Sequence, residues 1–174
     1  MTIEQVKTSI RNVADFPKPG ILFKDITTAI KNPEVLHFVA NELYNYYKDK
    51  GITKVAGVES RGFILGSILA YKLGAGFVPV RKSGKLPAKT IGMEYALEYG
   101  AAKLELHCDA IESGDTVLLH DDLLATGGSA ATALALIKTF EPKQVFVNFM
   151  IELEDLNGRK ALKDADDVYS LVKF

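Results

Sequence analysis

VLLHDDLLATGGSAATALALIK, residues 117–138, joins an apolar run to two adjacent acids, a loop of small residues and a helix-forming run. The apolar opening reads as a strand without alternation, the pattern of a strand covered on both faces of a parallel sheet. Asp121 and Asp122 fall at its carboxyl end. Ala125, Thr126, Gly127, Gly128 and Ser129 then form a loop that opens directly into a helix. Glycines let backbone amides close around an anion, hydroxyls add donors, and the helix N-terminus adds partial positive charge. The pattern is a phosphate cradle. The paired acids beside it suit a vicinal diol of a sugar, or a Mg²⁺ that accompanies a polyphosphate. An acidic turn before a glycine-rich helix start is the bland alternative. No G-x-x-x-x-G-K-[ST] loop occurs in the chain, and Gly74-Ala75-Gly76 precedes a strand, so neither nucleotide fingerprint is present.

Outward from this stretch, strand and helix patterns alternate. KVAGVES, FVPVRK and QVFVNFMIEL read as strands, and GFILGSILAYKLG as a helix. Toward the start, Ile3, Val6 and Ile10 recur at helical spacing, FPKPG enforces an extended turn, and Asn32-Pro33 opens a helix that Gly51 stops. That helix places Leu36, Val39, Leu43 and Tyr47 on one face. DDVYSLVKF at the end has the period of an edge strand. The expected fold is α/β, a doubly wound, mostly parallel sheet flanked by helices. Such sheets bind ligands at the carboxyl ends of their strands. Lys85–His107 breaks the rhythm as a long polar insertion, of the kind that forms lids or binding loops. Without repeats or linkers, residues 1–174 are expected to form one domain.

The chain has 174 residues, enough to bury roughly 70% of the unfolded surface without metal or disulfide. Lys and Arg number 21 against 22 Asp and Glu, a net charge of −1. That balance argues against binding nucleic acid or an anionic membrane. The lone Cys108 fits a reducing compartment, and no run approaches the roughly 20 apolar residues of a membrane helix. A soluble, cytoplasmic protein is expected.

Three further segments carry candidate chemistry. Glu59, Ser60, Arg61 and Gly62 end a strand and open a helix, forming either a second anion site or an exposed turn. Arg81, Lys82 and Lys85 are either counter-charge for an anion or a solvated face. Glu94–Gly100 reads as a plain hairpin or as a flap that excludes water and delivers a carboxylate. ILFKDI, taken alone, reads as a core segment.

The string Asp121-Asp122-x-x-x-Thr126-Gly127-Gly128 resembles the 5-phosphoribosyl 1-diphosphate (PRPP) motif of the type I phosphoribosyltransferases. FPKPGILFKDIT, GVESRGFILG, VRKSGKLP, LEYG and HDDLLATGGSA resemble, in chain order, the adenine-using branch of that family. The resemblance implies that adenine and PRPP become AMP and diphosphate in purine salvage. Mg²⁺ would be held mainly by the PRPP diphosphate, and the molecule would be a homodimer. It implies that Leu22 and Lys24 touch adenine through backbone groups while Phe23 stacks on the ring. The family often has Arg where this chain has Lys24. Glu59, Ser60 and Arg61 would bind diphosphate, with a cis peptide at Glu59-Ser60, and Arg81, Lys82 and Lys85 would add counter-charge. Glu98 would reach the base, and Tyr99 would help close a flexible hairpin flap at about 83–107. Asp121 and Asp122 would act on the ribose, and Ala125–Ser129 on its 5′-phosphate. Another purine as acceptor, or a PRPP- or purine-sensing regulator on the same fold, are the alternatives.

Overall fold

Apolar residues that alternate sides along each central strand build two cores, one on either face of a single sheet. In the computed structural model, which describes residues 1–96 and 101–174, the chain begins with helix α1 (Ile3–Ser9). The Thr2 side chain accepts from the Gln5 amide, and the Gln5 side chain answers on the Thr2 amide, a capping box. Strands β1 (Arg11–Ala14) and β2 (Leu22–Asp25) form a small antiparallel ribbon. One-turn α2 (Thr27–Ile30) leads to α3 (Pro33–Tyr47), where Asn32 caps the Glu34 amide at 3.0 Å. Val35, Val39, Leu43 and Tyr47 are its buried stripe, with Leu36 packed at the margin. The helix stops at Tyr47, ahead of Gly51.

The main sheet follows: β3 (Lys54–Val58), α4 (Gly62–Leu73), β4 (Gly76–Lys82), β5 (Thr90–Ala96), β6 (Ala101–His107), β7 (Thr116–Leu124), α5 (Gly128–Lys138), β8 (Gln144–Glu152) and β9 (Asp167–Lys173). Two short 3₁₀ turns, Glu154–Leu156 and Gly158–Ala161, connect β8 to β9. Strand order is β5-β6-β4-β3-β7-β8-β9. The five strands from β4 to β9 pair in parallel, and the β5–β6 hairpin adds antiparallel at the β4 edge. The polar insertion is thus a hairpin. It continues the sheet beyond the end of β4, through Arg81 opposite Glu105 and Lys82 opposite Leu104.

Successive strand residues serve opposite faces. Val55, Leu118 and Met150 pack under α1–α4, while Ala56, Leu119 and Phe149 pack under α5. Helix α4 ends at Gly74, whose left-handed φ of +67° glycine adopts without a Cβ penalty. No helix among the described residues is long and apolar enough to cross a membrane.

Candidate active site

Chain order reverses between β3 and β7. From β3 the chain winds through α4 to β4 on one side, and β7 lies against β3 on the other. The carboxyl edge at such a switch is where doubly wound sheets hold ligands. A cavity of about 340 Å³ opens there, lined among others by Glu59, Ser60, Arg61, Lys82, Asp121, Asp122 and Ser129. A second, of about 200 Å³, adjoins it along Asp121–Ala130 and shares Arg61.

The first wall is the turn from β3 to α4, where the Glu59–Ser60 peptide is cis. No side chain caps α4; the Phe63 and Ile64 amides of its first turn fold back on the Ser60 and Arg61 carbonyls at 3.2 Å, and the helix start still turns its positive dipole end to the crevice. Gly62 is required by close approach: a Cβ would meet the His120 carbonyl oxygen at 2.8 Å and Asp121 Cα at 3.2 Å. The helix start is thereby pressed against β7, which brings Arg61 beside the two acids.

Arg61 Nε donates to the Asp122 carboxylate. Burial opposes the Arg61 charge, but the hydrogen bond and attraction from Asp122 outweigh it and raise its pKa. Arg81 Nε donates to Glu59 at 3.1 Å, and the Lys82 amide donates to the same carboxylate at 3.0 Å. Burial disfavours the Glu59 charge, yet these bonds hold the carboxyl below its ordinary range. Arg81 also donates to the Lys85 carbonyl at 3.1 Å. Both arginines are therefore engaged by acids. Lys82 lines the cavity without an ion-pair partner among the described residues, and Lys85 is exposed beyond the lining. The turn carrying Ser83 and Gly84 is held by buried Glu105, which accepts from the Ser83 hydroxyl at 2.7 Å and the Gly84 amide at 3.0 Å.

The second wall is the loop from β7 into α5. Gly127 is its N-cap, with a left-handed φ of +86°, and no side chain caps the helix. A Cβ on Gly128 would meet nothing within 4 Å. The first-turn amides of an 11-residue helix thus border an open cavity, a ready anion site.

Between the walls lie the two acids. Strand β7 runs on through both of them to Leu124, two residues beyond the run TVLLHDD. Asp122 is buried at 3% exposure and held by Arg61. Asp121 accepts the Asp122 amide at 2.8 Å. Burial first, and the Asp122 charge second, push the Asp121 carboxyl well above its ordinary range. The charged residues lining the crevice are three acids and two bases, so its attraction for phosphate resides largely in the backbone dipoles of two helix starts.

At the ribbon end, the Phe23 ring lies 5.5 Å from the Arg61 guanidinium carbon and edge-on to Phe16. Leu22 is exposed. Lys24 turns away, bonding Asn12 at 2.8 Å and standing 3.9 Å over the Phe174 ring, which leaves only its backbone for the crevice. Glu98 and Tyr99 lie outside the described residues.

The family model described as "Phosphoribosyl transferase domain" matches residues 27–172. The chain belongs to the phosphoribosyltransferase family. An adenine phosphoribosyltransferase of Bacteroides fragilis is 55% identical over 168 residues, covering 97% of this chain and 94% of that protein. The solved adenine phosphoribosyltransferase of Rhodothermus marinus superposes with a TM-score of 0.92 at 48% identity, covering 99% of this chain and 98% of that one. That of Giardia lamblia, complexed with 9-deazaadenine, gives a TM-score of 0.95 at 39% identity, covering 100% and 98%.

Three parts of this phosphoribosyltransferase site escaped the sequence reasoning. Tyr95 and Leu104 of the hairpin line the larger cavity. Tyr95 follows Ile91 and Met93 at period two, so alternation in β5 was the available signal. Gly158 lies against the phosphate loop: a Cβ on Gly127 would meet the Gly158 carbonyl oxygen at 2.5 Å. Nothing local in NGRK announces that contact.

Proposed function

We propose that the chain is an adenine phosphoribosyltransferase, converting adenine and PRPP to AMP and diphosphate. One observation carries the reading: two helix starts without side-chain caps border one crevice, with two carboxylates between them. That arrangement suits a ligand with phosphate at both ends and a hydroxylated sugar in the middle, and PRPP has that form. Adenine as acceptor is supported by the names of the relatives and by the solved relatives bound to adenine or 9-deazaadenine.

In this reading Ala125, Thr126, Gly127, Gly128 and Ser129 hold the 5′-phosphate. Glu59, Ser60 and Arg61 hold diphosphate with Lys82. Arg81 orders Glu59 and the Lys85 turn as well as adding charge. The anomeric C–O bond breaks with its electron pair passing to diphosphate, while an adenine ring nitrogen forms the new C–N bond and gives up its proton. Asp121 and Asp122 favour the positive ribose that develops. Leu22, Phe23 and Lys24 place the base, Glu98 takes its proton, and Tyr99 helps close the site.

Mg²⁺ fits this crevice. Diphosphate oxygens and water would be its main ligands, and Asp121 or Asp122 would be the carboxylate at hand. When bound on diphosphate, it neutralises leaving-group charge beside acids that would otherwise repel it. The whole chain acts as one domain, with the hairpin at 83–107 as its flap. A homodimer would bury the exposed apolar side chains Ile64, Tyr71 and Phe77 on and beside α4. A cytoplasmic setting fits the single cysteine.

The test is product analysis with adenine, hypoxanthine and guanine in parallel, each with PRPP and Mg²⁺. AMP formed from adenine far faster than either alternative nucleotide supports the reading. Equal or greater rates with the 6-oxopurines overturn the choice of base, and no nucleotide from any base overturns the activity.

A further inference from the structure

The 3₁₀ segment after β8 packs backbone to backbone against the phosphate loop. A Cβ on Gly158 would collide with the Ala125 carbonyl oxygen and meet Leu124 Cδ1 at 2.8 Å. A Cβ on Gly127 would collide from the other side with the Gly158 carbonyl. The contact exists only because both positions are glycine. The residue after Gly158 ties the segment to the sheet. Arg159 Nε and Nη2 each donate to Glu152 at 2.7 Å, and Nη1 donates to the Val168 carbonyl at 2.7 Å. Nη2 also reaches Ser170 Oγ at 3.4 Å. Glu152 is 4% exposed at the end of β8, opposite Leu124 of β7, and the Leu153 amide donates to the Leu124 carbonyl at 2.9 Å. Burial disfavours its charge, and the bonds from Arg159 and Ser170 more than compensate. A planar two-pronged pair of this kind fixes distance and direction together.

We infer that Glu152, Arg159 and Gly158 are positioning residues. They form a brace that sets the height of the loop at Ala125–Ser129, and so its affinity for a phosphate monoester, without touching the ligand. None of the three lines either cavity of the crevice. The inference rests on the proposed assignment of that loop to the 5′-phosphate. The brace reaches only that wall, because the diphosphate wall is built from β3, α4 and β4. Its effect is therefore selective among ligands, which a general loss of stability is not.

The experiment is calorimetric titration of the unmodified protein, Gly158→Ala and Arg159→Lys with ribose 5-phosphate and, separately, with Mg²⁺-diphosphate, beside a thermal melt. Arg159→Lys keeps the charge and loses the fork. The expected result in Arg159→Lys is a fall in ribose 5-phosphate affinity of about tenfold, with diphosphate affinity within about twofold. Gly158→Ala, if it folds, gives the larger loss in the same ligand. Unchanged ribose 5-phosphate affinity in folded Arg159→Lys overturns the brace, as does an equal loss for both ligands. An unmodified protein that binds diphosphate but no ribose 5-phosphate fails at the reading of the loop itself, and the brace falls with it.

Discussion

Adjacent glycines in the phosphate loop should respond to substitution in opposite ways. Gly128 is the first residue of α5, and a Cβ there would meet nothing within 4 Å. In a helix glycine costs about 1 kcal/mol relative to alanine and valine no more than about 0.7, so Gly128→Val should change stability by less than about 0.5 kcal/mol. The branched side chain would nevertheless occupy the space where a phosphate approaches the first-turn amides. A charge-assisted hydrogen bond is worth about 1.5–3 kcal/mol, so displacing the phosphate from one amide should weaken PRPP by at least about tenfold. Gly127→Ala is the counterpart. Its φ of +86° and the Gly158 carbonyl at 2.5 Å both oppose a Cβ. The left-handed conformation alone costs about 1–2 kcal/mol for a residue with a Cβ, or several degrees in the melting temperature of a chain this size. Titration calorimetry with PRPP and a thermal melt on each variant read both effects. A folded Gly128→Val that binds PRPP as tightly as the unmodified protein would refute the assignment of the loop to phosphate.

Four more outcomes are expected. Asp121→Asn should lower kcat more than PRPP affinity and leave the melting temperature unchanged or higher, because burial and Asp122 already disfavour its charge. Asp122→Asn should lower both kcat and the melting temperature, since it strips Arg61 of its partner; equal melting for the two variants would contradict this. Glu98→Gln should lower kcat by about two orders of magnitude with PRPP affinity within about threefold, and full kcat with chemistry rate-limiting would exclude Glu98 as the proton-handling group. His120 is fully buried, bonded to Asn148 at 2.5 Å, and held down to about 4, chiefly by burial. The unfolded chain protonates at about 6.5 while the folded one does not, so stability should fall as pH drops from about 6.5 to about 4, by up to about 3 kcal/mol. Urea unfolding across that range should show a slope that His120→Gln flattens, and an unchanged slope would contradict the account.

Much of the fold was legible because its signals are local. Unbroken apolar runs at β3, β7 and β8 are buried on both faces, as their composition implied. Asn32-Pro33 starts α3 by capping chemistry confined to three residues. The α3 terminus was less legible. The chain leaves the helix at Tyr47, and Gly51 serves the later turn with its φ of +67°. β1 was invisible, being four mostly exposed residues whose pairing with β2 depends on a turn seven residues long.

The walls of the crevice were legible for the same reason as the strands: acid pair, glycines and helix start are contiguous. The pairings within it were not. Arg61 meets Asp122 across 61 positions and Arg81 meets Glu59 across 22. Sequence shows a basic cluster at Arg81, Lys82 and Lys85, but only tertiary packing reveals that the arginine is occupied by Glu59. Gly158 is the extreme case, since its meaning lies wholly in the Ala125 and Gly127 backbone it touches.

The central claim is that one crevice holds phosphate on α5 and diphosphate on α4. A crystal structure of the protein grown with AMP, Mg²⁺ and diphosphate tests it directly. The account predicts the AMP phosphate against the amides of Thr126–Ser129, diphosphate against Glu59–Arg61, and the ribose hydroxyls facing Asp121 and Asp122. AMP bound with its phosphate away from the 126–129 loop, or diphosphate away from the 59–61 turn, would contradict it.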